Sequence, residues 1–303
     1  MRPRICALSM MFVAIVGTDA LGAEDWTLSL TPAFSYGRYQ GSPTRESVTG
    51  GRLFLDAQYF ERAGLTVGGD YANVNGKPGY PDIAQYASFL SGRASYVPDA
   101  VPARIGLRMD LHAVDNNDAT NGTDQVRVLA SRLSVSDLGG TVRMDVGYAS
   151  SRFGRSATQP GNLEVRQWTP TAGFGLNGEQ WLQLRGYFII SSNPVRSQGR
   201  DGTSALEVKW TYRPERKSDA LLENVQLAFL LGERIYAVDG DSAAVYNLAD
   251  LQTGAIALST GWRVGRSTSI LLGAGWEKYK TALARENVSY TSLYGFLALA
   301  GEW

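Results

Sequence analysis

Histidine and cysteine are almost absent: the 303-residue chain has one of each. A Cys/His zinc site needs several such ligands, so that chemistry is excluded. Charge is scarce too. Asp, Glu, Lys and Arg make up 19% of the chain, below the roughly 25% usual in soluble domains. The 29 basic and 29 acidic residues cancel, which argues against a nucleic-acid binder with its basic excess. No stretch after Val16 approaches the about 18 apolar residues of a membrane-crossing helix. Amphipathic helical periodicity is missing as well. What the chain has instead is glycine, 34 residues, and aromatics, 11%. That composition points to strands and turns rather than to a helical enzyme.

The amino-terminal segment is set apart. Met1-Arg2-Pro3-Arg4 is basic, Ile5 to Val16 is apolar, and Leu21-Gly22-Ala23 ends in a small residue before Glu24. This is the layout of a secretory signal peptide over 1–23, with cleavage after Ala20 as the alternative, leaving 24–303 as the mature domain. Cys6 lies in the apolar run, so the mature chain is expected to contain no disulfide.

From residue 26 onward the recurring signal is alternation with period two. Leu182-Gln183-Leu184-Arg185-Gly186-Tyr187 and Ile105-Gly106-Leu107-Arg108-Met109-Asp110 show it clearly. The pattern predicts fourteen strands: 26–40, 47–60, 63–75, 85–97, 101–113, 124–137, 140–153, 162–176, 180–193, 202–213, 222–236, 250–264, 266–280 and 286–303. Soluble strands usually run about 3–10 residues, whereas these have the length of tilted membrane-crossing strands with their ends. Connections alternate between short turns, such as Glu61-Arg62 and Leu138-Gly139, and longer polar loops such as 114–123 and 237–249. All seven tryptophans fall near predicted strand ends, as an interfacial girdle requires. The expected fold is all-β: a closed antiparallel transmembrane β-barrel of about fourteen strands, with twelve to sixteen compatible with the pattern.

Turning the apolar residues toward lipid leaves a charged inner face: Arg52, Asp56, Asp70, Arg93, Arg104, Arg108, Asp110, Arg143, Asp145, Arg185, Glu207, Lys209, Arg263 and Glu277. An Arg or Lys facing lipid at mid-depth would cost about 2–4 kcal/mol, so these positions imply an aqueous lumen. Two roles compete. Arg108/Asp110, Arg143/Asp145 and Glu207/Lys209 are opposite charges two residues apart on one face, which could pair and stiffen the wall. Against this, Arg93, Arg104, Arg143, Lys209 and Arg263 gather toward the short-turn end, which suits selection of anions.

The last segment, Leu293-Tyr-Gly-Phe-Leu-Ala-Leu-Ala-Gly-Glu-Trp303, alternates apolar residues and ends in an aromatic. In this the chain resembles a Gram-negative outer-membrane β-barrel, although Trp stands where Phe is commoner. The resemblance covers the mature chain as an architecture. It implies an outer-membrane location, lipid and lipopolysaccharide as surroundings, and the barrel-assembly machinery as the partner that reads Trp303. Fourteen strands also resemble some monomeric porins and the fatty-acid transporters. The latter carry an amino-terminal plug, for which the start of strand 26–40 leaves no room.

Catalytic signatures are missing. His112 has Val114 two residues on, and neither His-x-Ser nor Gly-x-Ser-x-Gly occurs; a polar lumen histidine is the plainer reading. Asp56 and Asp70, conceivable as paired hydrolytic carboxylates, read more simply as a hydrated wall. No catalytic residue, metal or cofactor is expected. The sequence therefore points to a non-enzymatic, porin-like channel for hydrophilic solutes, anions or an exported polysaccharide among them. In the export case separate periplasmic components would be needed. The alternatives are an outer-membrane lipid-modifying enzyme and a structural or adhesion barrel.

Overall fold

The computed structural model describes residues 26–60, 62–118, 122–215, 221–246, 248–283 and 286–303. The proposed signal peptide, 1–23, lies outside them. Among the described residues sixteen strands follow in chain order. β1 is Trp26–Gln40, β2 Arg45–Tyr59, β3 Ala63–Gly76, β4 Ile83–Tyr96, β5 Ala103–Asn116, β6 Val126–Asp137, β7 Val142–Phe153 and β8 Leu163–Gly175. β9 is Gln180–Ser191, β10 Gly202–Tyr212, β11 Leu222–Arg234, β12 Val238–Asp239, β13 Ala244–Val245, β14 Leu251–Arg263, β15 Thr268–Leu283 and β16 Glu286–Glu302.

All but β12 and β13 pair antiparallel with their neighbours and close into one barrel of fourteen strands, with β1 bonded to β16. At the seam Trp303 N donates to Leu28 O (2.9 Å) and Leu28 N donates to Trp303 O (3.0 Å). Closure leaves no sheet edge, the condition for a strand protein in lipid. Alternation does the rest. Leu53, Leu65, Leu107, Met109, Leu133, Met144 and Ile190 project outward and are exposed, forming an apolar band too large for a water-facing surface. Strands of 11–17 residues match that band. At two places strand pairing continues into the predicted loop: β2 begins at Arg45 and β15 runs on to Leu283.

The connection between β11 and β14 departs from expectation. It was expected as an outer loop over 237–249. Instead, its β12–β13 hairpin sits within the barrel, and Ile235, Tyr236, Ala237 and Val238 are nearly fully buried. The reason is the inner face of the outer half of β5–β9. There Val114, Val126, Val128, Phe153, Leu163, Val165 and Ile189 point inward and pack on Ile235–Val238 as one apolar core. Burying such side chains yields roughly 1.5–3 kcal/mol each, against which a solvated loop offers nothing. Tyr236 (φ 54°) and Ala243 (φ 51°) take the left-handed conformation at the bends of this segment. Such residues persist only where the surroundings over-determine them.

The tryptophan girdle also needs one correction. Trp26, Trp168, Trp262, Trp276 and Trp303 are exposed on the outer surface. Trp181 instead shares the inward parity of Arg185 and Tyr187, and its ring covers Gly173, where a Cβ would collide with it.

Candidate functional site: the lumen and its hairpin

The hairpin is pinned from both sides. On β8, Gln167 donates through Nε2 to Val238 O (2.6 Å) and accepts from Val238 N at Oε1 (2.9 Å). Gln167 thereby satisfies a backbone pair that would otherwise be buried without partners. On β9, Arg185 meets Asp239 (3.3 Å) and Asp241, with Glu207 of β10 3.6 Å away. Lys209 of β10 reaches Asp241 at 3.2 Å, and Arg132 of β6 reaches it at 2.8 Å. From the far side Arg52 of β2 donates to Ser242 O (2.8 Å). β2 and β9 are seven strands apart in either direction around the ring, so the hairpin spans the lumen. On the return limb, Arg234 lies 4.2 Å over the ring of Tyr246, and Asp250 accepts from Tyr290 Oη (2.6 Å) and pairs with Arg45.

The fourteen residues assigned to the inner face all lie on it, in three settings. The first is the hairpin mooring, where the Arg185 side chain is 3% exposed and holds acids rather than facing open water. Glu207 and Lys209 belong to the same cluster, as does Asp145, which lies between Arg132 (3.8 Å) and Arg143 (3.5 Å). The second is the wall. Arg93 grips Asp56 with two bonds of 2.8 and 3.1 Å, Arg108 bonds Asp110 (2.7 Å), Arg52 meets Asp70 (3.4 Å), and Glu277 accepts from Tyr279 Oη (2.6 Å). The third is the short-turn mouth, where Arg143 is 50% exposed and Arg263, paired with Glu223 at 2.9 Å, is 40% exposed. Arg104 lies at the same end of β5, opposite Ser136.

His112 turns inward on β5 and packs its ring 4.9 Å from Phe89, while its Nε2 is buried with no partner among the described residues. Among the described residues no group of three or more His, Cys, Asp or Glu could hold a metal.

Sequence reasoning missed Arg132, Gln167, Asp239 and Asp241. A signal for the covering element was present. Val128-Leu129-Ala130 and Phe188-Ile189-Ile190 are apolar on both faces, and an apolar lumen face needs something to cover it.

Both hairpin carboxyls are strongly polarised. Burial pushes Asp241 up, but Arg185, Lys209 and Arg132 together outweigh it and hold the carboxyl below its ordinary range. Asp239 is lowered likewise, burial and Asp241 being overcome by Arg185, Lys209 and Arg234. Tyr246 is pushed up to about 12, chiefly by burial.

No family model matches the chain, and no curated protein matches it. Solved structures do. The toluene transporter TbuX of Ralstonia pickettii superposes with a TM-score of 0.55 at 9% identity, over 92% of this chain and 89% of that one. The toluene transporter TodX of Pseudomonas putida gives 0.51 at 9%, over the same shares. At such identity the likeness speaks for fold. In architecture the chain is a closed antiparallel β-barrel of fourteen strands, the fold these transporters share.

Proposed function

We propose that the protein is an outer-membrane channel for hydrophilic solutes whose bore is set by the hairpin spanning its lumen. The observation that carries this is a closed barrel with an apolar exterior and a charged inner wall. The solved relatives are named toluene transporters, which supports a channel. A hydrocarbon is a poor match here, because it would displace water from Arg52, Asp56, Asp70 and Arg93 and return no hydrogen bond.

Toward the short-turn end, taken as periplasmic, Arg93, Arg104, Arg143 and Arg263 line the inner face, with Asp56, Asp145 and Glu223 beside three of them. The guanidinium charge is permanent at ordinary pH, so this end favours anions, modestly because each acid cancels part of the field. The test is reversal potential across a salt gradient in a planar bilayer. Wild type is expected to favour anions, and an Arg104→Ser, Arg143→Ser, Arg263→Ser triple variant to shift toward cations while remaining folded. Wild-type protein that conducts no ions and admits no solute into liposomes would overturn the reading.

A further inference from the structure

Between the hairpin and the β2–β5 wall lies a cavity of about 160 Å³ that the ion-path argument does not use. Its wall is Arg52, Phe54, Asp70, Gln85, Phe89 and His112, and Ala243–Val245 of the hairpin close the inner side. The size is well below the roughly 300 Å³ at which drug-sized pockets begin, and suits one six-membered ring with its substituents.

The lining is divided by chemistry. Phe54 and Phe89 stand edge to face at 5.7 Å, with His112 tilted against Phe89, and present apolar rings. Arg52 lies 5.3 Å over Phe54 and reaches Asp70 at 3.4 Å. That places one cation and one anion in the same small space. His112 adds a ring nitrogen, Nε2, that has no hydrogen-bond partner among the described residues.

This combination selects among ligand classes. An anion gains Arg52 but meets Asp70, and a cation meets the reverse. A hydrocarbon satisfies the rings but offers no hydrogen bond to the polar edge, where Arg52 and Asp70 hold each other only at 3.4 Å. Arg can only donate and Asp can only accept, whereas a hydroxyl does both. A ring with C–H faces and hydroxyl edges answers every group at once, its faces on the phenyl rings and its hydroxyls on Arg52, Asp70 and Gln85.

We infer that this cavity is a binding site for a single neutral sugar ring, held against the lumen hairpin. It rests on the channel reading only for the route by which the sugar arrives.

The test is titration of the detergent-refolded mature barrel with D-glucose, D-galactose and D-mannose, with benzoate and toluene as separate arms, followed calorimetrically. At least one hexose is expected to bind saturably. Phe89→Ala and Asp70→Asn should each weaken that affinity by about tenfold or more, equivalent to about 1.4 kcal/mol. Arg263→Ser, at the mouth, should leave it unchanged. Every variant is first checked for the heat-dependent gel shift of a folded barrel, and Gln85→Ala serves as a second variant if Asp70→Asn fails it. Absence of saturable binding by all three hexoses overturns the inference, as does binding of benzoate or toluene alone. Binding is read without any current. A barrel that binds hexose yet does not conduct would sink the channel reading and leave this one standing; one that conducts without binding hexose would do the opposite.

Discussion

Arg185 shows how one residue can be placed correctly and still be given the wrong surroundings. Alternation in Leu184-Arg185-Gly186-Tyr187 puts it on the inner face, where it is. Nothing local announces that Asp239 and Asp241, more than fifty residues away, arrive to enclose it. Period-two reading assigns faces and is silent about what fills the space they surround. Removing one partner of a buried ion pair leaves the other charge uncompensated and typically costs about 3–5 kcal/mol. Arg185→Ala is therefore expected to release the hairpin and to make 235–250 accessible to proteases in an otherwise intact barrel. Unchanged proteolysis would count against the mooring. Gly240 is the second test at this scale. A Cβ there would stand 2.7 Å from Nη2 of Arg132, whose Nη1 is held by Asp241 and whose Nε lies near Asp145. Gly240→Val should push Arg132 off Asp241 and loosen the hairpin, with Gly240→Ala intermediate in the same protease assay.

The hairpin segment was legible as a long polar connection and illegible as an internal one. Asp239-Gly240-Asp241 reads as solvent-exposed loop, because unpaired acids are costly to bury. Here Asp239 is buried and Asp241 is drawn into the lumen with a third of its side chain exposed, because Arg132, Arg185 and Lys209 wait for them. The docked segment has a definite pH window. Asp239 and Asp241 have docked pKa values below their free value near 3.9, so each stabilises docking above that value and loses its effect as pH falls through the docked pKa. Tyr246, raised to about 12 in the docked state, favours docking below its free value near 10 and loses this as pH rises through the docked pKa. Single-channel conductance should be flat between about pH 5 and pH 9 and rise only outside that range. A step near neutral pH would contradict the assignment of these groups.

For the whole molecule, most of the architecture was open to reading. Fourteen alternating segments, short turns between alternate pairs and an aromatic carboxy-terminus led to the strand count and to closure of β1 on β16. These follow from local chemistry: a strand between lipid and lumen must alternate, and a barrel must leave no edge. The contents of the lumen did not follow, since they depend on contacts distant in sequence. Two outcomes belong to this scale. The refolded barrel should migrate differently on gels with and without boiling, and strong helical circular dichroism would contradict it. Deleting Trp303 removes both seam bonds to Leu28 and is expected to lower outer-membrane levels more than Trp168→Ala. Equal levels of the Trp303 deletion and wild type would remove Trp303 as an assembly determinant.

In the proposed channel, a hairpin held by ion pairs across the lumen sets the bore. The measurement that tests it most directly is single-channel conductance of wild type beside an Asp239→Asn, Asp241→Asn variant, at neutral pH in the same bilayer. Neutralising both acids removes the charge contacts with Arg132, Arg185 and Lys209 while leaving the barrel wall unaltered. Wild type is expected to give small, quiet openings, and the variant a severalfold larger or strongly fluctuating conductance. Equal conductance in the two folded proteins would contradict it.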